Sequence, residues 1–241
     1  MSLPIDPYQG ALFTPSGGLV WHWRALWRRR HWASFIKALD EDLESWSPPQ
    51  KKLLLLGPSA GWCLPTRFLM RFERIHAVDL DPLAKRLFRF NHGRALAASK
   101  TILTFEIRHV FNELEAILGQ FSDYAILFPN MLGQHVFHDP DARRARATVE
   151  GLKTRLAGRH WASIHDRLSG GIPKGTVLPE AFHTPYPIEN DALAKRLGLS
   201  GEWVDHQTAH VLPEACQRHL LCWLLLADTL HVVEFGQVAP A

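Results

Sequence analysis

The apolar positions of the chain fall into short uninterrupted runs and longer stretches of helical spacing. Leu53 to Leu56 is an apolar run that stops at Gly57, and a second glycine follows at Gly61. A run of this kind before a glycine turn is what a buried parallel strand looks like. Trp62 to Glu73 carries Leu64, Phe68, Leu69 and Phe72 on one side and predicts a helix. A second buried run, Ile75 to Leu80, contains Asp79. Strand, glycine turn, helix, strand and acid make one βαβ unit with a ligand-facing turn. The alternation continues along the chain. Pro82 to Ala98 predicts a helix, Ile102 to Val110 a strand, and Asn112 to Leu118 a short helix capped by Asn112. Tyr124 to Phe128 is the fourth strand, Asp139 to Leu156 a helix, and His160 to Asp166 the fifth strand. Arg218 to Leu226 and Leu230 to Val238 flank Ala227-Asp228-Thr229 and read as a hairpin. This order is that of a doubly wound, mostly parallel α/β sheet ending in an antiparallel hairpin.

Two segments stand outside the alternation. Residues 1–19 are rich in Pro and Gly and read as an extended arm. Leu19 to Trp46 predicts one long helix, with Val20, Trp23, Trp27, Trp32, Phe35, Ile36, Leu39, Leu43 and Trp46 at helical spacing. Arg24, Arg28 and His31 share a face of it, and Arg29 and Arg30 add to the densest positive charge in the chain. Ser47-Pro48-Pro49 ends the helix. Three roles are open for this extension: an amphipathic helix packed on the sheet, a lid with Arg24 on an anionic group, or a nucleic-acid contact of Trp and Arg. The predicted organisation is residues 1–50 as arm and helix, and 51–241 as one Rossmann-like domain. Residues 170–190, with four prolines, His183 and Tyr186, predict a long loop above the site.

Composition narrows the class. With 241 residues, 46% of them apolar and 21% charged, the chain can bury a full core and is not disordered. A net charge of +3 permits an anionic partner without arguing for one. Three scattered cysteines make no disulfide framework, which suits a reducing compartment. No apolar run reaches the ~20 residues of a membrane span, and no signal peptide is visible. A soluble, cytoplasmic protein without a membrane partner is the expectation.

The turn Gly57-Pro58-Ser59-Ala60-Gly61 is followed by bulky Trp62, so it lacks the second and third glycines of the dinucleotide fingerprint. It resembles motif I of class I S-adenosylmethionine-dependent methyltransferases, with Ser59 at the middle glycine position. Val78-Asp79-Leu80-Asp81-Pro82 resembles the family's second-strand end. The resemblance covers about residues 51–238, with its specific motifs at 53–82 and about 128–134. It implies a seven-stranded sheet and S-adenosylmethionine as cofactor. Gly57, Pro58, Ser59, Ala60 and Gly61 would then lie at the methionine end. Asp79 and Leu80 would lie at the ribose, and His109, Val110, Asn130 and Met131 would frame the adenine. Two departures stand out, since the family's acids after the third strand and near the end of the first are His109 and Leu55 here.

The implied reaction is in-line methyl transfer to a nucleophile, helped chiefly by proximity and alignment. Asn130, His165 and Asp166 are the catalytic candidates, because each falls at the carboxyl end of a strand, where such sheets bind ligands. A histidine there can take a proton from the acceptor. Arg24, Gln134 and Tyr186 are the substrate-side candidates, and the expected acceptor is a small molecule. No metal site is expected, since His135, His138 and Asp139 are too sparse a set. The rival readings are an aminopropyl-type transferase on the same fold, an NAD(P)-dependent oxidoreductase, and a non-catalytic member. That last would bind a partner or nucleic acid through its basic helix.

Overall fold

The computed structural model describes residues 18–138, 141–178, 182–184, 186–199 and 201–240. In chain order its elements begin with α1 (Gly18–Arg28), a 3-10 segment (Arg29–Trp32), α2 (Ala33–Ser45), β1 (Lys52–Leu56) and α3 (Thr66–Leu69). Then come β2 (Arg74–Asp79), α4 (Ala84–Ala98), β3 (Ile102–Ile107), α5 (Leu114–Gln120) and β4 (Ala125–Pro129). The rest are α6 (Leu132–His138), α7 (Ala142–Glu150), α8 (Leu152–Arg155), β5 (Trp161–Gly171), β6 (Phe182–Thr184), α9 (Asn190–Arg196), β7 (Trp203–Asp205), β8 (Arg218–Leu226) and β9 (Thr229–Val238). The described residues divide into two compact units, one of residues 18–30 and 49–125, the other of residues 31–48 and 126–240.

The first unit is built on three parallel strands in the order β3-β2-β1. Leu53 pairs with Ile75 and Leu56 with Val78, while Asp79 pairs with Ile107. Leu53 to Leu56 are all fully buried, which is why this strand shows no polar alternation. The helix predicted over 62–73 shrinks to the single turn of α3. Pro65 is the reason. Its ring fixes its own φ and holds the preceding residue out of the helical region, so the chain at Pro65 is extended and the helix begins after it. The short helix after β3 starts at Leu114 and its N-cap is Glu113, so Asn112 is not the cap.

The second unit carries the order β4-β5-β9-β8-β6. β4 and β5 are parallel, whereas β5–β9, β9–β8 and β8–β6 are antiparallel. The predicted hairpin is β8 and β9. The described residues hold nine strands instead of seven: β6 lies in the segment predicted as a long loop, and β7 pairs with the far part of β5, which runs on to Gly171. A bulge at Arg167 shifts the β5–β9 register between Asp166 and Leu168.

The long helix predicted over 19–46 is broken by the 3-10 segment. Its two halves belong to different units, α1 to the first and α2 to the second. Trp32, at the break, is fully buried, gives its indole N–H to the Leu225 carbonyl at 3.2 Å and meets Trp223 edge-on. Phe35 stacks on the same Trp223 ring, and Asp42 of α2 binds His219 of β8 at 2.6 Å. Apolar periodicity persists through the break, so the pattern alone does not reveal it.

Candidate active site

The turn after β1 is locked from inside its unit. Gly57, Ser59 and Gly61 all have left-handed backbone, with φ of 70°, 50° and 65°. The Gly57 N–H continues the ladder to the Val78 carbonyl at 2.8 Å, and the Gly61 N–H closes the turn on the Pro58 carbonyl at 2.8 Å. The Ser59 N–H donates to Asp79 Oδ2 at 2.6 Å. Three of the N–H groups expected to meet a ligand are therefore spent within the unit. What these three positions offer a ligand is close approach of the backbone. From the helix side, Asn91 Nδ2 donates to the Ala60 carbonyl at 2.8 Å. His92 Nε2 lies 3.1 Å from the Gly61 carbonyl, and its Nδ1 lies 2.8 Å from Thr66 Oγ1. A carbonyl only accepts, so Nε2 carries the proton and Nδ1 accepts from Thr66. Burial pushes His92 down to about 4. A Cβ at Gly61 would meet His92 Nε2 at 2.7 Å, so this glycine is required by the packing of α4 as well as by its φ.

Asp79 ends β2 and is 8% exposed. Its Oδ1 accepts from the Asp81 N–H at 2.9 Å. Burial is the largest influence on this carboxyl and pushes it up to about 6, against the pull of the Asp81 and Ser59 amides. Each carboxylate oxygen has two lone pairs and accepts from one backbone amide, which leaves capacity for two hydroxyl groups. The Ser59 hydroxyl oxygen is buried and has no hydrogen-bond partner among the described residues.

The α1 side chain that reaches this region is His22, which sequence reasoning passed over in favour of Arg24. Trp62 Nε1 donates to His22 Nδ1 at 3.0 Å, so that nitrogen is unprotonated. His22 Nε2 therefore carries the hydrogen and donates to Asp81 Oδ2 at 2.7 Å. Asp81 Oδ1 in turn accepts from the Leu83 N–H at 2.9 Å and opens the way into α4. Arg24 is half-buried, while Trp23 and Trp27 stand 66% and 68% exposed. A histidine and a tryptophan at distant positions carried no motif that could have paired them.

Leu80 is half-buried after β2. His109 is half-buried beyond β3, and its Nδ1 accepts from the Asn112 N–H at 3.3 Å, which turns the ring onto its own loop. Val110 is buried. The charged group in this loop is Arg108, held by Glu113 at 2.8 Å and Glu106 at 3.2 Å.

In the second unit Asn130 adopts left-handed backbone with φ 67°, a conformation that Asn tolerates. Its N–H donates to the Ile164 carbonyl at 2.7 Å, and its Oδ1 accepts from the Asp166 N–H at 3.1 Å. Asp166 is buried and its Oδ1 binds His231 Nδ1 at 3.0 Å. Burial raises its carboxyl, but His231 outweighs that and holds it below the usual carboxylate range. Met131 and Gln134 are half-buried, Gln134 within α6 instead of the expected loop. Tyr186 is exposed. The His135, His138 and Asp139 set lies partly outside the described residues.

His165 departs from its expected role. It is fully buried, with Nδ1 2.9 Å from Ser163 Oγ and Nε2 2.9 Å from Glu234 Oε2. With both ring nitrogens taken, it has no free nitrogen for an acceptor's proton. Glu234 is also met by Arg167 at 3.1 Å and Arg218 at 3.3 Å, all four side chains being fully buried. Burial drives the Glu234 carboxyl up, yet the His165 bond and the two guanidinium charges outweigh it and hold it low. A sequence signal existed: Glu234 stands between Val232-Val233 and Phe235, where a buried charge needs a partner.

No protein-family model matches the chain, and no curated protein matches it. Among solved structures it is similar to the N-methyltransferase NodS from Bradyrhizobium japonicum WM9 in complex with S-adenosylhomocysteine. The identity is 16%, the coverage 96% of this chain and 98% of that one, and the TM-score 0.43. It is also similar to the magnesium protoporphyrin IX methyltransferase of Synechocystis PCC 6803 with bound S-adenosylmethionine. There the identity is 12%, the coverage 98% and 99%, and the TM-score 0.47. The N-terminal domain of EvdMO1 with S-adenosylhomocysteine bound is 17% identical over 86% of this chain and 80% of that one, with a TM-score of 0.43. Two of the three are methyltransferases.

Proposed function

We propose that this protein is an S-adenosylmethionine-dependent methyltransferase with a small-molecule acceptor. The observation that carries the reading is Asp79. It is a buried carboxylate at the end of β2, held by the turn's own Ser59 amide and with lone pairs to spare for a vicinal diol. The turn beside it has its amides from Gly57, Ser59 and Gly61 occupied. A pyrophosphate needs free backbone N–H donors, so these amides favour a sulfonium nucleoside over a nicotinamide dinucleotide. When bound, S-adenosylmethionine supplies a methyl group on a sulfur that already carries its leaving group.

The residues of this chain would then bind and orient. Gly57, Pro58, Ser59, Ala60 and Gly61 give the backbone surface for the methionine part, and Asp79 holds the ribose hydroxyls. His22, through Asp81 and Trp62, fixes the loop that follows β2. Leu80, His109 and Val110 flank the adenine, with Asn130 and Met131 as further candidates. Of the three catalytic candidates, Asn130 and Asp166 stay as a hydrogen-bonded pair and His165 leaves. Arg24, Gln134 and Tyr186 remain acceptor-side candidates. No helix among the described residues is long and apolar enough to cross a membrane.

The test is isothermal titration with S-adenosylhomocysteine, NADH and NADPH in parallel. Micromolar binding of S-adenosylhomocysteine alone supports the reading and opens a screen of methyl acceptors. Binding of a nicotinamide nucleotide, or of none of the three, overturns it.

A further inference from the structure

We propose that Asp166, His206 and His231 form a binding site for a divalent metal ion of the zinc class. The three residues each offer a ligand atom, and these atoms lie within 4.8 Å of one another. Two imidazoles and one carboxylate are a donor set suited to Zn2+, Co2+ or Fe2+, whereas Mg2+ and Ca2+ favour all-oxygen sets. Ligands about 2.1 Å from a tetrahedral ion lie roughly 3.4 Å apart, so the widest pair need close by at most about 1.4 Å. One edge is already set, with Asp166 Oδ1 and His231 Nδ1 3.0 Å apart.

The scaffold is rigid. Asp166 lies in β5 and His231 in β9, its antiparallel neighbour. His206 directly follows β7, which pairs with the far end of β5, and its N–H donates to the Arg167 carbonyl at 3.0 Å. Around the three lie groups that fix their orientation, as the outer shell of a metal site does. Asn130 Oδ1 accepts the Asp166 N–H, and the Thr208 hydroxyl donates to the Asp166 carbonyl at 2.5 Å. Ser169 Oγ holds His206 Nε2 at 2.9 Å.

A second observation points the same way. His206 is 6% exposed and its Nδ1 is buried without a hydrogen-bond partner among the described residues, a costly state for an imidazole nitrogen. The His231 side chain keeps 14% exposure, which leaves an approach for the ion and a position for water or an oxygen of a small molecule. The inference stands on the second unit alone and does not depend on the methyltransferase reading.

A rival cluster serves as a control. Asp42, His183 and His219 meet the same separation. There His219 Nδ1 is paired with Asp42 as His231 is with Asp166, but among the described residues that cluster has no buried imidazole nitrogen without a partner. His183 is exposed, with its ring stacked on His219 at 4.0 Å.

The experiment strips the purified full chain with a chelator and titrates it with Zn2+ and Co2+. The expected result is one equivalent of zinc retained, and visible d–d bands on adding Co2+. Trp223, 5.6 Å from His231 between ring centroids, should be quenched by Co2+ in step with the bands. His206→Ala and His231→Ala should each weaken zinc at least tenfold, and His219→Ala should leave it unchanged. Unchanged affinity in His206→Ala and His231→Ala, or loss in His219→Ala alone, would overturn the assignment. If the alanine variants fail to fold, His206→Gln and the wild-type cobalt spectrum decide. A wild-type protein without d–d bands or retained zinc sinks the proposal.

Discussion

The two units each bury a carboxylate in a strand, and they hold it in opposite ways. Asp79 in the first unit is met by two backbone amides, from Ser59 and Asp81. Glu234 in the second is met by one histidine and two arginines. Burial acts on both in the same direction, but only Glu234 has enough nearby positive charge to reverse it. The difference teaches how to tell a buried acid that serves the fold from one that awaits a ligand. Glu234 is ringed by charged groups of its own chain, His165 and Arg167 at Oε2 and Arg218 at Oε1. Asp79 has unused lone pairs and no cation among its hydrogen-bond donors.

This contrast can be broken by substitution. Glu234→Ala leaves Arg167 and Arg218 buried without their carboxylate, so urea unfolding should show a loss of about 3–5 kcal/mol. A loss below about 1 kcal/mol would mean that the network is not what holds this part of the sheet. Gly61→Ala forces a Cβ within 2.7 Å of His92 at a left-handed φ, and should cost about 2 kcal/mol by the same measurement. Asp79→Ala takes the acceptor from the Ser59 and Asp81 amides and should cost about 1–3 kcal/mol. It should weaken S-adenosylhomocysteine at least tenfold, or about 1.4 kcal/mol, in a titration. Unchanged affinity would remove Asp79 from the cofactor site.

Proton linkage gives the smallest effect and the sharpest test. The Asp79 carboxyl is raised in the folded chain from 3.8 to about 6. Between those values the folded protein holds a proton that the unfolded chain has released, so this group's contribution to stability falls as pH rises through the window and is flat above it. Glu234 is lowered by folding, so its contribution is present above its unfolded pKa and is lost as pH falls through the folded value. Stability curves of Asp79→Asn and Glu234→Gln against the wild type should therefore differ with opposite slopes in acid. Ribose binding needs the ionised carboxylate, so S-adenosylhomocysteine affinity should fall as pH drops below about 6 and lose that dependence in Asp79→Asn.

The first unit was largely legible in the sequence. A strand buried on both faces has to be an apolar run, and Leu53 to Leu56 is one. Positive φ favours glycine, which marked the turn at Gly57 and Gly61 but not at Ser59 between them. The terminal hairpin was legible for a similar reason, since a short polar turn between two apolar runs has few other solutions. What stayed hidden depends on contacts between distant residues. The tie from His22 to Trp62 and Asp81 is made by three residues with no shared spacing. The break at Arg29–Trp32 interrupts hydrogen bonding while the apolar rhythm runs on. His165 looked like a rim residue because strand ends were judged from the parallel portion of the sheet. β5 runs to Gly171, so His165 lies mid-strand opposite Glu234.

The exposed tryptophans of α1 give the molecule a spectroscopic signature of its own. Trp23 and Trp27 face solvent with ring centroids 5.7 Å apart and planes tilted by 52°. Trp32 and Trp161 are fully buried. A polar quencher such as iodide should therefore strip the red edge of the emission while sparing the blue. The close, tilted indole pair should add an exciton couplet to the far-ultraviolet dichroism. The Trp32–Trp223 pair, 5.1 Å apart, adds a couplet of its own, so it is the loss of iodide quenching at Trp23 and Trp27 that follows whatever comes to rest on α1 without a label.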